Sequence, residues 1–427
     1  MPACVWRFHR RRFLKTAIQS GALFLAPQVI PGCVLGKDGT VPPGEKIVMA
    51  GIGIGGRGSG DLGEFLGQPD VRCVAVCDVR ADRREHVKKM VDGRYGNQDC
   101  VPYRDFRELL ARSDIDLVLI TTGSNCHAML SIHAAKAGKD VYCEKPCTKT
   151  IAESLALAQV FRRTGRVFQG GMQRRSVSNF QLAVELARSG KLGKLRAVHA
   201  HPGGMGTATS GWPTPQPEPP KDEVDWDLYL GTAAWRPFNR GLLNSGFEKG
   251  GGLVGGGILE WGSHCVDLCQ WANNADDTVP VEYAPREEQR ATAHYANGVQ
   301  LVIREDGWLP LGSCPVRFEG DAGWIETGDS GKFAASSQAL LASDKAGKLG
   351  GHPPTSHVRD LLDCVKSRGR PRVNADVACQ SHIACHAANI AIFLGRKLAY
   401  DPKTNEFIGD QQANRLRSEA LREPWRT

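Results

Sequence analysis

Residues 46–58 read Lys-Ile-Val-Met-Ala-Gly-Ile-Gly-Ile-Gly-Gly-Arg-Gly, an apolar run that ends in glycines at Gly53, Gly55 and Gly58. A strand that turns at once into a helix around a bound anion needs this composition. The first glycine allows the tight turn, the second lets the backbone approach a pyrophosphate, and the third lets helix and strand pack closely. The positive end of the helix then faces the phosphate charge. Gly51, Gly53 and Gly56 offer an overlapping match, but the length of the strand Lys46–Ile52 favours the later register, with Gly56 and Arg57 inside the turn. Asp78 follows the next strand, Arg72–Val76, and stands 20 residues after Gly58. A carboxylate there accepts the adenosine ribose hydroxyls and repels a 2′-phosphate, so NAD is expected and NADP is less favoured. Arg80, Arg83 and Arg84 lie near enough to blunt that preference.

The pattern continues as short apolar runs alternating with helical segments. Arg57–Leu66 reads as a helix, Asp116–Thr121 as a strand, Ser124–Ala137 as a helix, and Asp140–Cys143 as a strand. Ile151–Arg163 and Arg166–Gln169 add one more helix and strand. Such alternation predicts an α/β fold with a doubly wound parallel sheet over residues 45–170, a Rossmann domain. Beyond it, strand-like runs cluster at Lys194–His201, Glu282–Tyr283, Ala291–Tyr295, Val299–Ile303, Pro315–Glu319 and Gly323–Glu326. Strands without intervening helices predict an α+β domain over 171–400 with an open, mostly antiparallel sheet. His357–Lys366 and Ala375–Leu394 read as helices, the latter packing back on the first domain, with 401–427 as a tail on the core. The proline-rich segment Trp212–Pro220 is a loop.

At 427 residues and 41% hydrophobic, the chain can bury a large core. No apolar run approaches the ~20 residues of a membrane span. The formal charge of +8 owes five positives to Arg7, Arg10, Arg11, Arg12 and Lys15; without them the 54 basic residues nearly balance the 46 acidic ones. No dense basic stripe remains, so nucleic acid is not an expected partner. Arg10-Arg11-Arg12-Phe13-Leu14-Lys15 precedes the weakly apolar Ala17–Ile30, the order of a bacterial export signal, and resembles the twin-arginine signal. Residues 1–36 therefore read as a leader to the periplasm or another exported location, with Cys33 a candidate lipid-attachment site. The 14 cysteines are scattered or spaced CxxxC, without the CxxC pairs of zinc ribbons, and read as small buried hydrophobes. Cys73 and Cys77, four apart on a strand, are expected on one face. No metal site is expected, because His199 and His201 lack a third ligand.

Tyr142-Cys143-Glu144-Lys145-Pro146 closes a strand at the carboxyl edge of the sheet, where this fold binds its ligands. A lysine there can hydrogen-bond a substrate hydroxyl and help move its proton. With these residues in order, the chain resembles the glucose–fructose oxidoreductase / inositol dehydrogenase / MocA family. Gly255-Gly256-Gly257-Ile258-Leu259-Glu260-Trp261-Gly262-Ser263-His264 continues the likeness. Asp225–Gly231 and Arg422-Glu423-Pro424-Trp425 resemble its exported, twin-arginine-bearing branch. The resemblance implies that Lys145 is the active-site lysine and that His264 assists proton transfer. Glu260 stands where the family usually has Asp. Residues 260 and 264 share a helical face, so both can point at one substrate. Asp267 is a candidate to orient the imidazole. Gln173 and Arg174, after the strand ending near Phe168, are candidates for substrate hydroxyls. Thr121, His127 and Glu144 are further candidates for the cofactor.

The expected chemistry is oxidation of a CH–OH group in a sugar, sugar derivative or polyol, with Lys145 and His264 managing the proton. Two alternatives stay open. Redox-neutral glycoside hydrolysis with a recycled cofactor would release product without net NADH. A non-catalytic NAD-binding protein would be indifferent to loss of Lys145. The open sheet, with one face uncovered and apolar, predicts a homodimer or a homotetramer built from it.

Overall fold

The computed structural model describes residues 41–205, 213–243, 256–306, 311–341 and 355–425. The leader with Arg10, Arg11 and Cys33, together with Trp212 and Gly255, lies outside the described residues. Residues from Ile47 onward form one compact unit.

Its first half is a six-stranded parallel sheet. β1 (Ile47–Ile52), α1 (Gly56–Leu66), β2 (Val71–Cys77), α2 (Ala81–Tyr95), β3 (Val101–Tyr103) and α3 (Phe106–Leu110) are followed by β4 (Leu117–Ile120), α4 (Ser124–Lys136), β5 (Asp140–Cys143), α5 (Ile151–Thr164) and β6 (Phe168–Gly170). The order β3-β2-β1-β4-β5-β6 reverses direction between β1 and β4, and a crevice opens above that point. β1, β4 and β5 are apolar along nearly their whole length because helices cover both faces. Two separate apolar layers result, one on each face of the sheet. Cys73 and Cys77 fall in different layers, against the expectation from spacing. The pairing Met49↔Cys73 is followed by Ala50↔Ala75, so a bulge at Val74 reverses the alternation between them. All 12 cysteines among the described residues are free thiols, and all but Cys364 are buried.

The second half adds α6 (Ser178–Arg188), β7 (Leu195–Ala200), α7 (Trp226–Leu230) and α8 (Gly256–Ala272). Its sheet is completed by β8 (Glu282–Tyr283), β9 (Arg290–His294), β10 (Gln300–Arg304), β11 (Val316–Gly320), β12 (Gly323–Thr327) and β13 (Phe333–Ala335). The chain closes with α9 (Thr355–Ser367), α10 (Ala375–Leu394), β14 (Leu398–Asp401), β15 (Glu406–Phe407) and α11 (Gln411–Arg415). The nine strands run β13-β12-β11-β7-β10-β9-β8-β14-β15, antiparallel except for the β7–β10 pair. Val198, Leu301, Ile303, Phe318 and Ile325 alternate inward and share a core with α6, α8 and α10.

The opposite face corrects an expectation. It carries His199, Arg304, Arg317, Glu319, Trp324 and Glu326, with Arg317 lying 3.9 Å over the Trp324 ring and ion-paired to Glu319 and Glu326. That face is polar, not a contiguous apolar surface.

α10 joins the halves: Ala378 and Cys379 pack in the parallel-sheet core, Ile383 to Ile390 in the other. By length and composition it is also apolar enough to cross a membrane, contrary to expectation, but most of it is buried inside the fold. The tail returns to the first domain, where Trp425 packs near Phe106.

Candidate active site

The turn after β1 gives each glycine the geometry its place requires. Gly53 has φ +69°, and a Cβ there would stand 2.1 Å from Thr122 Cγ2 and 2.8 Å from Thr122 Cα. At Gly58 a Cβ would sit 2.1 Å from Thr121 Oγ1, so α1 packs directly on the loop after β4. Thr121 ties that loop to the turn by donating from Oγ1 to Gly53 O at 3.0 Å. A Cβ on Gly55 or Gly56, by contrast, would meet nothing within 4 Å. Both line a cavity of about 540 Å³ in the crevice, at the N-terminus of α1. An open backbone at a helix N-terminus is what a pyrophosphate requires. Asp78 lines the same cavity. Burial pushes its carboxyl up to about 6, with the Arg80 backbone N–H holding it partly down at 2.9 Å from Oδ1. The residues present therefore fit a dinucleotide: glycine loop at the phosphates, Asp78 at the ribose.

Of the nearby arginines, Arg80 is ion-paired to Asp82 and donates to Leu243 O, while Arg84 donates to Asp78 O. Arg83 lines the cavity.

Lys145, at the end of β5, closes the other end of the cavity with Glu260 from α8. The Lys145 ammonium donates to the Glu260 carboxylate and to Glu260 O at 3.1 Å, and lies 5.4 Å from the Trp261 ring centroid. Two buried histidines hold the loop that carries it. His127 contacts Pro146 O at 2.8 Å and Thr122 O at 2.9 Å, joining the loops after β5 and β4. Burial holds its imidazole below the ordinary range. His382 Nε2 accepts from Cys147 N at 2.9 Å. Thr150 caps α5, accepting from Glu153 N at 3.1 Å, a contact worth about 1 kcal/mol.

His264 follows Glu260 by one helical turn but stands behind the cavity wall, 1% exposed. Its Nε2 lies 3.1 Å from Arg174 Nη1. Arg174 is in turn held by Asp329 at 2.7 and 3.1 Å, and its guanidinium lies 5.5 Å from the Trp261 ring. Burial, then the positive charges of Arg174, Lys145 and Arg57, keep His264 well below the ordinary imidazole range.

Three sequence expectations are corrected. Asp267 does not orient His264: both its oxygens accept from Arg175 at 2.7 Å, and Oδ1 also accepts from Ser381. Ser381 lies on α10, so the Asp267 carboxylate is drawn toward that helix. Glu144 and Gln173 also leave the cavity. The Gln173 amide donates to the Glu144 carboxylate and to Tyr142 Oη at 2.9 Å, while Lys145 N donates to Glu144 at 3.0 Å. In the loop after β5, Lys145 turns into the crevice while Glu144 turns toward α1. There it meets Arg57 and Asp61, and burial, with the Glu144 charge second, pushes Asp61 up to about 8.

Other groups at the site come from segments whose place the sequence did not give. α7 and its flanks cross the adenosine end of the crevice, where Leu228 and Tyr229 line the cavity. The segment is stitched to the first domain through Ala81 N→Glu223 O, Asp225 N→Val79 O and Asn125 Nδ2→Leu230 O. Arg422 from the tail fastens it by donating to Asp227 and to Gly231 O. The Asp225–Gly231 pattern marked this segment, but nothing local to it says what it covers.

Comparison with known proteins agrees with this geometry. The model of the oxidoreductase family's NAD-binding Rossmann fold matches residues 46–172, and that of its C-terminal alpha/beta domain matches 208–427. An alpha-N-acetylgalactosaminidase of Shewanella oneidensis is 32% identical over 175 residues, 36% of this chain and 37% of the relative. An inositol 2-dehydrogenase of Salmonella typhimurium is 30% identical over 152 residues, 35% of this chain and 43% of the relative. The chain thus spans less than half the length of these curated relatives. The WlbA dehydrogenase of Bordetella pertussis, solved with NADH and UDP-GlcNAcA, superposes with a TM-score of 0.60 over 84% of this chain and 98% of that one, at 18% identity. The chain belongs to the glucose–fructose oxidoreductase / inositol dehydrogenase / MocA oxidoreductase family, with an NAD-binding Rossmann domain and the family's C-terminal alpha/beta domain.

Proposed function

We propose that the protein is an NAD-dependent oxidoreductase acting on a CH–OH group of a sugar, sugar derivative or polyol. One observation carries the reading: the Lys145–Glu260 pair and the open glycine loop wall the same cavity. A substrate seated on Lys145 would meet the reactive end of a dinucleotide whose phosphates rest on Gly55 and Gly56. The bound nicotinamide supplies the redox step by accepting hydride. The chain's own residues orient and manage protons. Lys145, with the Trp261 ring 5.4 Å from its ammonium, donates to the substrate oxygen, and the stitched segment around Tyr229 closes the adenosine end.

A second reading is glycoside cleavage with the cofactor recycled in place. Two observations favour it: the segment across the adenosine end, and the similarity over about a third of the chain to an alpha-N-acetylgalactosaminidase. Incubation with NAD and a panel of sugars, polyols and glycosides, followed by absorbance and product analysis, separates the two. NADH formed in step with product supports net oxidation; product without NADH supports the redox-neutral route; neither, over the whole panel, overturns the enzymatic reading.

We also propose export by the twin-arginine route, on the strength of Arg10-Arg11-Arg12-Phe13-Leu14-Lys15. Replacing Arg10 and Arg11 by Lys should block export and leave cofactor binding intact. Self-association as a homodimer, or a tetramer built from it, is also proposed, on the family of the C-terminal domain and not on an apolar sheet face. Sedimentation as a monomer at micromolar concentration would count against it.

A further inference from the structure

The environment of His264 sets it apart from a group that accepts a proton. Arginine has no lone pair, so in its 3.1 Å contact with Arg174 the imidazole Nε2 is the acceptor. The neutral ring then carries its hydrogen on Nδ1, which is buried and has no partner among the described residues. A proton arriving at Nε2 would have to break the Arg174 contact, and Arg174 is itself held by two bonds to Asp329. The charged groups that face His264 are Arg174 from the turn after β6, Lys145 from the loop after β5 and Arg57 from α1, with His357 from α9 beyond them. Each of these cations has a carboxylate of its own, Arg174 in Asp329, Lys145 in Glu260 and Arg57 in Asp61, and Asp267, one turn along the same helix, is committed to Arg175 and Ser381, so none of these carboxylates bonds to the imidazole. An imidazolium here would be a buried cation in direct contact with a guanidinium.

Glu260 differs on each point. Its carboxylate lines the cavity, its side chain is 29% exposed, and it accepts from the Lys145 ammonium. His127, on α4, feels the Glu260 charge, which opposes the effect of burial on its imidazole. A proton taken by Glu260 can pass on to water, whereas His264 is sealed from solvent.

We propose that Glu260 accepts the substrate's hydroxyl proton while Lys145 donates to the same oxygen, and that His264 is a positioning residue locked by Arg174. The inference rests on the oxidoreductase reading. In the step, the substrate O–H bond breaks and its proton goes to the Glu260 carboxylate. The oxygen's electron pair forms the C=O bond, and the carbinol hydrogen leaves with its pair to the NAD oxidant. The substrate loses two electrons and two hydrogens, one as a proton and one as hydride. His264 holds the Arg174 guanidinium beside Trp261, the residue that follows Glu260.

Two measurements test this. In the full chain labelled with ¹⁵N-histidine, the resonance lost in His264→Gln should show a neutral ring with hydrogen on Nδ1 from pH 5 to 8. Titration within that range, or hydrogen on Nε2, overturns the lock. With whichever panel substrate is turned over, Glu260→Gln should lower kcat more than about 100-fold, the scale of a lost general base, and abolish the acidic limb of kcat/KM. NAD affinity by calorimetry should stay within about threefold, a change of about 0.65 kcal/mol. His264→Gln, whose amide oxygen can still accept from Arg174, should lower kcat less than about tenfold and leave that limb in place. A loss as large as that of Glu260→Gln, or a limb that moves with His264, overturns the assignment. If no panel compound is turned over, the oxidoreductase reading fails, and the histidine spectrum still decides the lock.

Discussion

Gly53 and Gly55 lie two residues apart in one turn, yet the structure assigns their substitution opposite consequences. Alanine at Gly53 would take a φ of +69°, which costs a side chain about 1–2 kcal/mol. Its Cβ would stand 2.1 Å from Thr122 Cγ2 and 2.8 Å from Thr122 Cα. The second contact is to backbone, so no rotamer relieves it, and overpacking adds about 1–3 kcal/mol. The sum, about 2–5 kcal/mol, is a large part of the 5–15 kcal/mol that holds a typical domain together. Gly55 has φ −93°, already open to any residue, and nothing within 4 Å of a Cβ. Valine there forfeits glycine's tolerance as an N-cap but reduces the freedom of the unfolded chain, so stability should change by no more than about 1 kcal/mol. Its side chain would instead occupy the space where the pyrophosphate meets the backbone. Urea unfolding of the cofactor-free protein and calorimetric titration with NAD separate the two effects. Gly53→Ala should shift the unfolding midpoint strongly; Gly55→Val should leave it nearly in place and lower NAD affinity by at least about tenfold, or 1.4 kcal/mol. Undiminished affinity in Gly55→Val would refute the assigned glycine register, and an unshifted midpoint in Gly53→Ala would refute the packing argument.

Lys145→Met should keep NAD affinity within a few fold and lower turnover by at least about 100-fold, read by calorimetry and a fixed-substrate assay. The Asp61–Glu144 pair predicts a pH signature: because burial raises the Asp61 carboxyl to about 8, its contribution is fully present below its unfolded value and is lost as pH rises through 8. Asp61→Asn should flatten the stability of the cofactor-free protein between pH 6 and 9 relative to wild type; parallel curves would contradict the raised Asp61 carboxyl. Arg422→Ala removes the bonds to Asp227 and Gly231 O that fasten α7, so NAD should dissociate faster by stopped flow, with little change in the unfolding midpoint. An unchanged off-rate would mean that the segment does not gate the adenosine end.

Much of the fold was legible in the sequence because its signals are local. The apolar runs at β1, β4 and β5, the glycine turn and the position of Asp78 depend only on near neighbours, and they locate the crevice and its cofactor. Elements without such signals were missed. α2 is highly charged, and β3 is a three-residue edge strand with Val101 exposed, so neither shows a periodic apolar face. The Val74 bulge left no mark in composition, and it moved Cys73 and Cys77 into different layers.

The site divides in the same way. Lys145 and Glu260 could be named from their motifs, since each motif is continuous in the chain. What each side chain faces is a pairing across long sequence separations: Arg174 with His264 and Asp329, Asp267 with Arg175 and Ser381, Arg422 with Asp227. A residue's type sets which bonds it can make, but burial decides which of them it must make. An ionic or polar group shut away from water must find a partner within the fold, and only the packing of α8 against α10 and the turn at 173–176 decided that Asp267 would answer Arg175 and leave His264 to Arg174.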